Sequence, residues 1–487
     1  MSKISRRSFI GAAAAIPFTV WFEKYGAAQT VKIRYSAYST QGIAMLNIYR
    51  SAVAKMMDHA QIPEGDPASW VFQWYTHAVP PPGKASEIAR IYPTANPNKA
   101  KAQAVWNTCQ AHFSSANQPW FLPWHRMFVY YFERTIRKVS GNANFTLPYW
   151  NYSATGVNHG RIPPQFRVTS SSLFVQKRNV HTTTNDFANV NAGAAIDQFA
   201  PGILSLSSLA QCRYLPTSTA VRGFNETLDN GLHGNVHVYT GNQQNMGAIP
   251  WAAGDPVFWM HHCNIDRLWA SWNKAGRLNP TTDTNWMNKS FQFVDENGNL
   301  VSATVKDFVN LTKLGYQYDA YETPPTCPPT ILSAAAEKVH ASSGSLTLSA
   351  SPARATLTPQ GAAAASLSTQ VKKIKPGHYL YLVLENAKAE AAPGVAYHVY
   401  LGMPQDTTGA ATRRYYAGTI NFFDASPHAD HEGGDVARIF SLDVTALAKR
   451  LALQNKLGAA PSVTIVPSGE PAAEARPTIG SFKLIEN

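Results

Sequence analysis

Six histidines in this 487-residue chain stand where their imidazoles can hold metal. In LHGNVHVYTG, His233 and His237 are four residues apart, so on a helix both rings leave one face about one turn apart, a chelating arrangement. In DPVFWMHHCNIDRLWASW, His262 falls in register with Ile265, Leu268, Trp269 and Trp272, which turns its ring to the buried side and makes it the third member of that set. A second set lies upstream. FLPWHRMFVYYFERTIR predicts a helix starting after Pro123 whose apolar face carries His125 with Phe128, Val129, Phe132 and Ile136. His112 precedes it in CQAHFSSANQPW, and His77 lies further back in QWYTHAVPPP. A single histidine on an apolar face is ordinarily a hydrogen-bonded core residue, but six in two such sets point to metal. Neutral imidazoles among aromatics, with few carboxylates, suit copper, zinc, iron or nickel and argue against magnesium or calcium. The HExxH pattern of zinc proteases is absent, because His233 and His237 enclose Gly-Asn-Val. Three nitrogens per metal leave an open position on each of two facing metals, a place for dioxygen.

The elements that must position these residues divide the chain. Val31 to Glu322 is rich in Trp, Tyr, Phe and His, with helical apolar periodicity broken by Pro/Gly/Asn loops. Residues 323–345, TPPTCPPTILSAAAEKVHASSGS, read as a linker, since prolines and small residues join a packed element poorly. Beyond it come short β runs: His378 to Leu384, Val395 to Leu401, Tyr415 to Phe423, Ile439 to Val444, Val463 to Val466 and Ile479 to Ile485. The expected fold is therefore α+β and multidomain, with a mainly α helical-bundle catalytic domain over 29–322. A small β-sandwich or barrel follows over 346–487.

At the N-terminus, Ser5-Arg6-Arg7-Ser8-Phe9-Ile10 leads a modest apolar stretch that ends in Gly26-Ala27-Ala28, the layout of a twin-arginine (Tat) signal over 1–28. That places the protein in the periplasm or outside the cell. Four cysteines are too few for a disulfide framework and leave room for one bridge. Lys and Arg number 42 against 30 Asp and Glu, but the +12 balance is scattered and charged residues make up only 15%. No nucleic-acid partner is expected from that footprint. No apolar run approaches the roughly 20 residues of a spanning helix, so no stable membrane association is expected either.

HGNVHVYTG, DPVFWMHHCNIDRLW and FLPWHRMFVYYFE resemble the copper-binding motifs of the tyrosinase, catechol oxidase and molluscan haemocyanin family. The resemblance spans roughly Arg34 to Tyr318. It implies two copper ions in a type-3 dicopper centre, with His77, His112 and His125 on copper A and His233, His237 and His262 on copper B; His261 then stands beside the ligands. Gln317 between Tyr316 and Tyr318 resembles the family's Tyr-x-Tyr motif, and Arg34 its N-terminal arginine partner. Phe258 matches an aromatic over the copper site, and Glu226 a glutamate that orients a water. Where the family often has asparagine after the first copper B histidine, this chain has Gly234, with Asn235 displaced by one. The implied activity is oxidation of o-diphenols, and to a lesser degree monophenols, to o-quinones with dioxygen as co-substrate. An o-aminophenol oxidase and a haemocyanin-like oxygen carrier are the alternatives. Small phenols are the implied partners, with a homo-oligomer compatible. Two departures stand out: His112 to His125 is longer than the motif, and Cys109 lies three residues before His112 rather than two, which disfavours the family's thioether and favours a buried thiol. Cys263 is expected as a packed thiol, and Asp266, Arg267 and Arg126 as structural partners. The β-rich domain resembles the segment that covers the copper site in plant and fungal relatives, with Tyr379, Tyr397, Tyr415 and Phe422 as candidates to lie over it.

Overall fold

The computed structural model describes residues 31–109, 119–327, 336–360, 367–423 and 437–487. The twin-arginine segment and His112 lie outside the described residues.

Three long helices, Thr40–Met57, Phe121–Ser140 and Val257–Lys274, form the centre of the first part. The middle one packs against both others. Each boundary has a local cause. Ser39 starts the first by accepting from the Gly42 amide at 3.0 Å. Gly141 ends the second with a left-handed φ of 69°. That second helix buries His125, Phe128, Val129, Phe132 and Ile136, the face its 3.6-residue period marks. The third is buried on every side from Val257 to Trp272, so it runs through the core instead of over it. Two short helices, Trp70–His77 and Gly234–Thr240, bring further histidines to this centre.

A buried ionic cluster ties the chain ends of this part together. The strand Lys32–Arg34 runs parallel to Tyr316–Tyr318, with Arg34 opposite Tyr318. Arg34 meets Glu133 at 2.8 Å and Asp266 at 3.2 Å. Asp266 also pairs with Arg126 and accepts the Tyr316 hydroxyl at 2.7 Å. Burial alone would raise the Asp266 carboxyl, but Arg126 and Arg34 hold it below the usual carboxylate range. Arg267 pairs with Glu322 at 2.6 Å.

All six β runs form strands. They lie in two antiparallel sheets with three further strands that the sequence reading omitted, Lys338–Ser343, Ala353–Thr356 and Thr358–Pro359. One sheet has the order Tyr416–Asn421, Ala396–Leu401, Ser462–Pro467, Ala353–Thr356; the other Arg438–Asp443, Leu380–Ala387, Ser481–Glu486, Lys338–Ser343, Thr358–Pro359. The linker over 323–345 is corrected at both ends. Lys338–Ser343 is a strand paired with Ser481–Glu486, so the second domain begins before residue 346. Cys327 is bonded to Cys212, the one bridge the cysteine count allowed, and pins the start of the linker to the helical part. Among the described residues no helix is long and apolar enough to cross a membrane.

Candidate metal centre

His233 ends a π-helical turn, Asp229–His233, that leads directly into Gly234–Thr240. Such turns re-aim side chains within a helix and are common at functional sites. His233 Nδ1 lies 3.0 Å from the Asp229 carboxylate, and His237 Nδ1 donates to the Met246 carbonyl at 2.7 Å. His125 Nδ1 donates to the Phe121 carbonyl at 2.8 Å. In each ring the anchored Nδ1 leaves Nε2 as the metal-facing donor, which is how orienting partners fix a ligand's tautomer.

The donors fall into two groups, His233, His237, His261 and His262 in one and His77, Cys109 and His125 in the other, each with its donor atoms within 4.8 Å of one another. All seven residues are buried. The groups touch, because His125 stacks on His262 with ring centroids 4.2 Å apart and 10° between planes. Among the described residues, neither ring nitrogen of His261 or of His262 has a hydrogen-bond partner. Buried imidazole nitrogens left this way cost about 1–3 kcal/mol each unless something binds them. Burial and the neighbouring imidazoles hold both rings neutral, with pKa values well below the ordinary histidine value. Neutral, orphaned imidazoles fit a soft or borderline cation such as copper. The structure places His261 beside His262 in this group, so the histidine expected to stand beside the ligands offers a donor as well.

Phe258 is fully buried and meets histidines of both groups, His262 at 4.2 Å and His77 at 4.9 Å. Phe423, from the second domain, stacks on His237 at 4.2 Å and 14°. Among the described residues the one that stacks on these histidines is thus Phe423, which was not among the four candidates and lies one position beyond Phe422. Phe422 instead packs against Tyr397, while Tyr379 lines a separate cavity of about 540 Å³ between the domains. Glu226 lines that same cavity and is bonded to Arg222. Burial raises its carboxyl, and Arg222 opposes the rise. The carboxylate against the histidines is that of Asp229, which sequence reasoning missed although it lies four residues before His233 and so on the same helical face. Gly234 and Asn235 face the second domain: a Cβ on Gly234 would lie 2.4 Å from Asn421 Oδ1, and Asn421 donates to Asn235 Oδ1 at 3.1 Å. Cys263 points away from the donors, its thiol donating to the Leu147 carbonyl at 3.3 Å and pushed up to about 12 by burial.

Residues 67–275 match the common central domain of tyrosinase, 280–326 the polyphenol oxidase middle domain, and 335–486 a domain of unknown function. Tyrosinase HcTyr1 of Hahella sp. is 32% identical over 367 residues, covering 69% of this chain and 74% of that one. The chain belongs to the tyrosinase family. Aureusidin synthase of Antirrhinum majus is 31% identical, with 50% of this chain matching 49% of its length, so the chain spans about half of that relative. The fold of latent apple tyrosinase superposes with a TM-score of 0.62 at 21% identity, covering 94% of this chain and 98% of the other. As a member of the tyrosinase and polyphenol oxidase family, the protein is a copper-dependent oxidoreductase.

Proposed function

We propose that this protein oxidises o-diphenols to o-quinones with dioxygen, on two copper ions held by His77, His112 and His125 and by His233, His237 and His262. The junction of the two histidine groups, His125 stacked on His262 at 4.2 Å, carries the reading. It keeps two metal sites within reach of one small substrate, and taking two electrons from a diphenol calls for both. Copper, when bound, supplies the electron exchange between diphenol and dioxygen.

The protein's own residues hold that arrangement. The Nδ1 anchors on His125, His233 and His237 fix the rings before any substrate arrives, so little reorganisation is left to the reaction. Asp229 keeps the proton on His233 Nδ1 and the ring in register. Phe258 walls the junction and excludes water from it. A phenol ring is accommodated against the face of His237 that Phe423 occupies, so Phe423 acts as a substrate mimic. The second domain, a small β-sandwich, then works as a lid that withholds an oxidising pocket. Gly234 offers no side chain to help deprotonate a monophenol, so tyrosine is hydroxylated slowly and after a lag. Arg6 and Arg7 direct export through the Tat route to the periplasm or beyond.

Copper quantification combined with catechol turnover tests this function. Two coppers per chain and quinone formation are expected, and His237→Ala should hold about one copper with catechol oxidation near background. Zinc in place of copper, oxygen binding without turnover, or normal turnover by His237→Ala overturns it.

A further inference from the structure

We propose that the cavity between the two domains is a binding site for a neutral, hydroxylated aromatic compound of two or three rings, and that such a compound holds the second domain closed over the histidines. Its effect on turnover rests on the lid role proposed above, whereas the site rests on the lining of the cavity alone.

The cavity belongs to neither domain by itself. One wall comes from residues 202–235 of the helical part, the other from the strands Tyr416–Asn421 and Arg438–Asp443 and from Tyr381. Bonds that cross between the domains close its rim. The Ser441 hydroxyl donates to the Ala220 carbonyl, and the Asn230 side chain donates to the Ile439 carbonyl at 3.4 Å. The Tyr416 ring lies over Gly202, where a Cβ would come within 3.0 Å of it. Moving the second domain away breaks these contacts and takes the cavity apart. Its volume of about 540 Å³ falls within the range of small-molecule sites, about 300–1,000 Å³, and exceeds what one catechol ring fills.

The lining sets the chemistry of the ligand. Among the described residues its charges balance, Arg213 and Arg222 against Glu226 and Asp443, so an ionic compound has no net attraction to gain. The hydroxyls of Ser208 and Thr227 belong to the lining, and among the described residues neither has a hydrogen-bond partner although both oxygens are buried. A ligand with hydroxyls of its own satisfies them. Both bonds from Arg222 reach Oε2 of Glu226, at 3.1 and 2.5 Å, which leaves Oε1 to accept a ligand hydroxyl. Tyr381 and Tyr416 supply aromatic surface for a ring, with Ile203 opposite in the helical part. Gly231 gives that ring room, because a Cβ there would meet nothing within 4 Å. A compound that binds only the assembled cavity multiplies the closed-to-open ratio by one plus its concentration over its Kd, and so inhibits the uncut chain.

The probe is resveratrol, a neutral two-ring phenol with no adjacent pair of hydroxyls. Isothermal titration into the copper-loaded full chain without dioxygen should show one site per chain. Gly231→Phe, which fills the cavity, should weaken that binding by at least about tenfold, and Thr227→Val, which removes one hydroxyl, by about fivefold. Circular dichroism verifies that each variant folds, and Thr227→Val decides where Gly231→Phe does not. Catechol turnover by the uncut wild type should fall at resveratrol concentrations about tenfold lower than those needed for Gly231→Phe or for a chain cut within residues 328–335 and freed of its second domain. No binding by the wild type, or equal affinity in wild type and both variants, overturns the site. Binding that the variants weaken, without any difference in inhibition between cut and uncut chains, keeps the site and overturns its hold on the lid. A chain that oxidises no catechol removes the proposed function, and the titration still decides the site.

Discussion

Gly234 is where Asn421 of the second domain meets the helix that carries His237, and on the proposed lid role Gly234→Ala should loosen that contact. An added Cβ would lie 2.4 Å from Asn421 Oδ1 and 2.8 Å from both Cγ and Nδ2 of the same residue, inside any tolerable contact. Asn421 is buried at the end of its strand, with a short side chain that cannot swing aside and keep its bonds. Moving it forfeits the donation to the Asn230 carbonyl at 2.9 Å and to Asn235 Oδ1 at 3.1 Å, and disturbs the Phe423 amide that donates to Asn421 Oδ1 at 3.2 Å. At about 1 kcal/mol for each of two or three bonds, closure weakens by about 2–3 kcal/mol. That corresponds to a factor of roughly 30–150 in the closed-to-open ratio. The helix itself gains from the change, since alanine is up to about 1 kcal/mol better than glycine in a helix. The assay is the initial rate of quinone formation by the uncleaved chain, on a small and on a bulky catechol. Gly234→Ala should raise both rates by one to two orders of magnitude where closure limits turnover. Asn421→Ala should do the same, and the double variant should add little, because both changes remove one contact. If neither variant is faster than wild type while a chain cut between the domains is, Asn421 is not the latch.

Cutting the chain within residues 328–335 should raise turnover of bulky catechols more than small ones, and because Cys212 and Cys327 both lie before the cut, the masses under non-reducing conditions should show two fragments with no covalent link between them. Equal rates before and after cutting would remove the lid role. Tyrosine hydroxylation should stay slow in wild type and gain when Gly234→Asn is introduced into an Asn421→Gly background, which vacates the space the new side chain needs; lag-free hydroxylation by wild type would refute the role given to Gly234. Asp266→Asn leaves Arg34 and Arg126 buried without their shared carboxylate and should cost about 3–5 kcal/mol in chemical denaturation at neutral pH. Because the folded Asp266 carboxyl is held below its unfolded value, its contribution is present above about pH 4 and is lost as pH falls through the folded value, so wild type and variant should converge in acid.

Much of the fold was legible because burial wrote it into the spacing of apolar residues. The helix Phe121–Ser140 shows its buried stripe in sequence, and the six β runs all became strands. The strand Lys338–Ser343 did not announce itself. Its residues are KVHASS, Val339 is exposed, and the inward positions are taken by His340 and Ala341, so neither alternation nor bulk separates it from a linker. His340 is acceptable inside because it bonds Gln370 and Glu486, partners remote in sequence. The Cys212–Cys327 bridge spans 115 residues and was likewise invisible to any local pattern.

The site divides along the same line. His233, His237, His125 and His262 sit on helices whose own periodicity turns them inward, so their convergence follows from the chain's local code. Asp229 obeys that code too, four residues before His233, and was overlooked because the π-turn between them hides the relation in a simple reading of the motif. Glu226 is paired instead with Arg222, four residues earlier and just before the helix Phe224–Leu228 begins, a neighbour that the sequence already contained. Phe423 and Asn421 belong to a different class of information. What places them over His237 and Gly234 is the docking of a strand from one domain on a helix of another, and the only trace of it in the helix is an absence, the missing side chain at Gly234. Read as a catalytic defect, that glycine suggests poor monophenol chemistry; read as a contact surface, it is the clearance that Asn421 of the second domain fills, as the proposed lid requires. The two readings are compatible, since a residue that admits the lid cannot also carry an amide into the pocket.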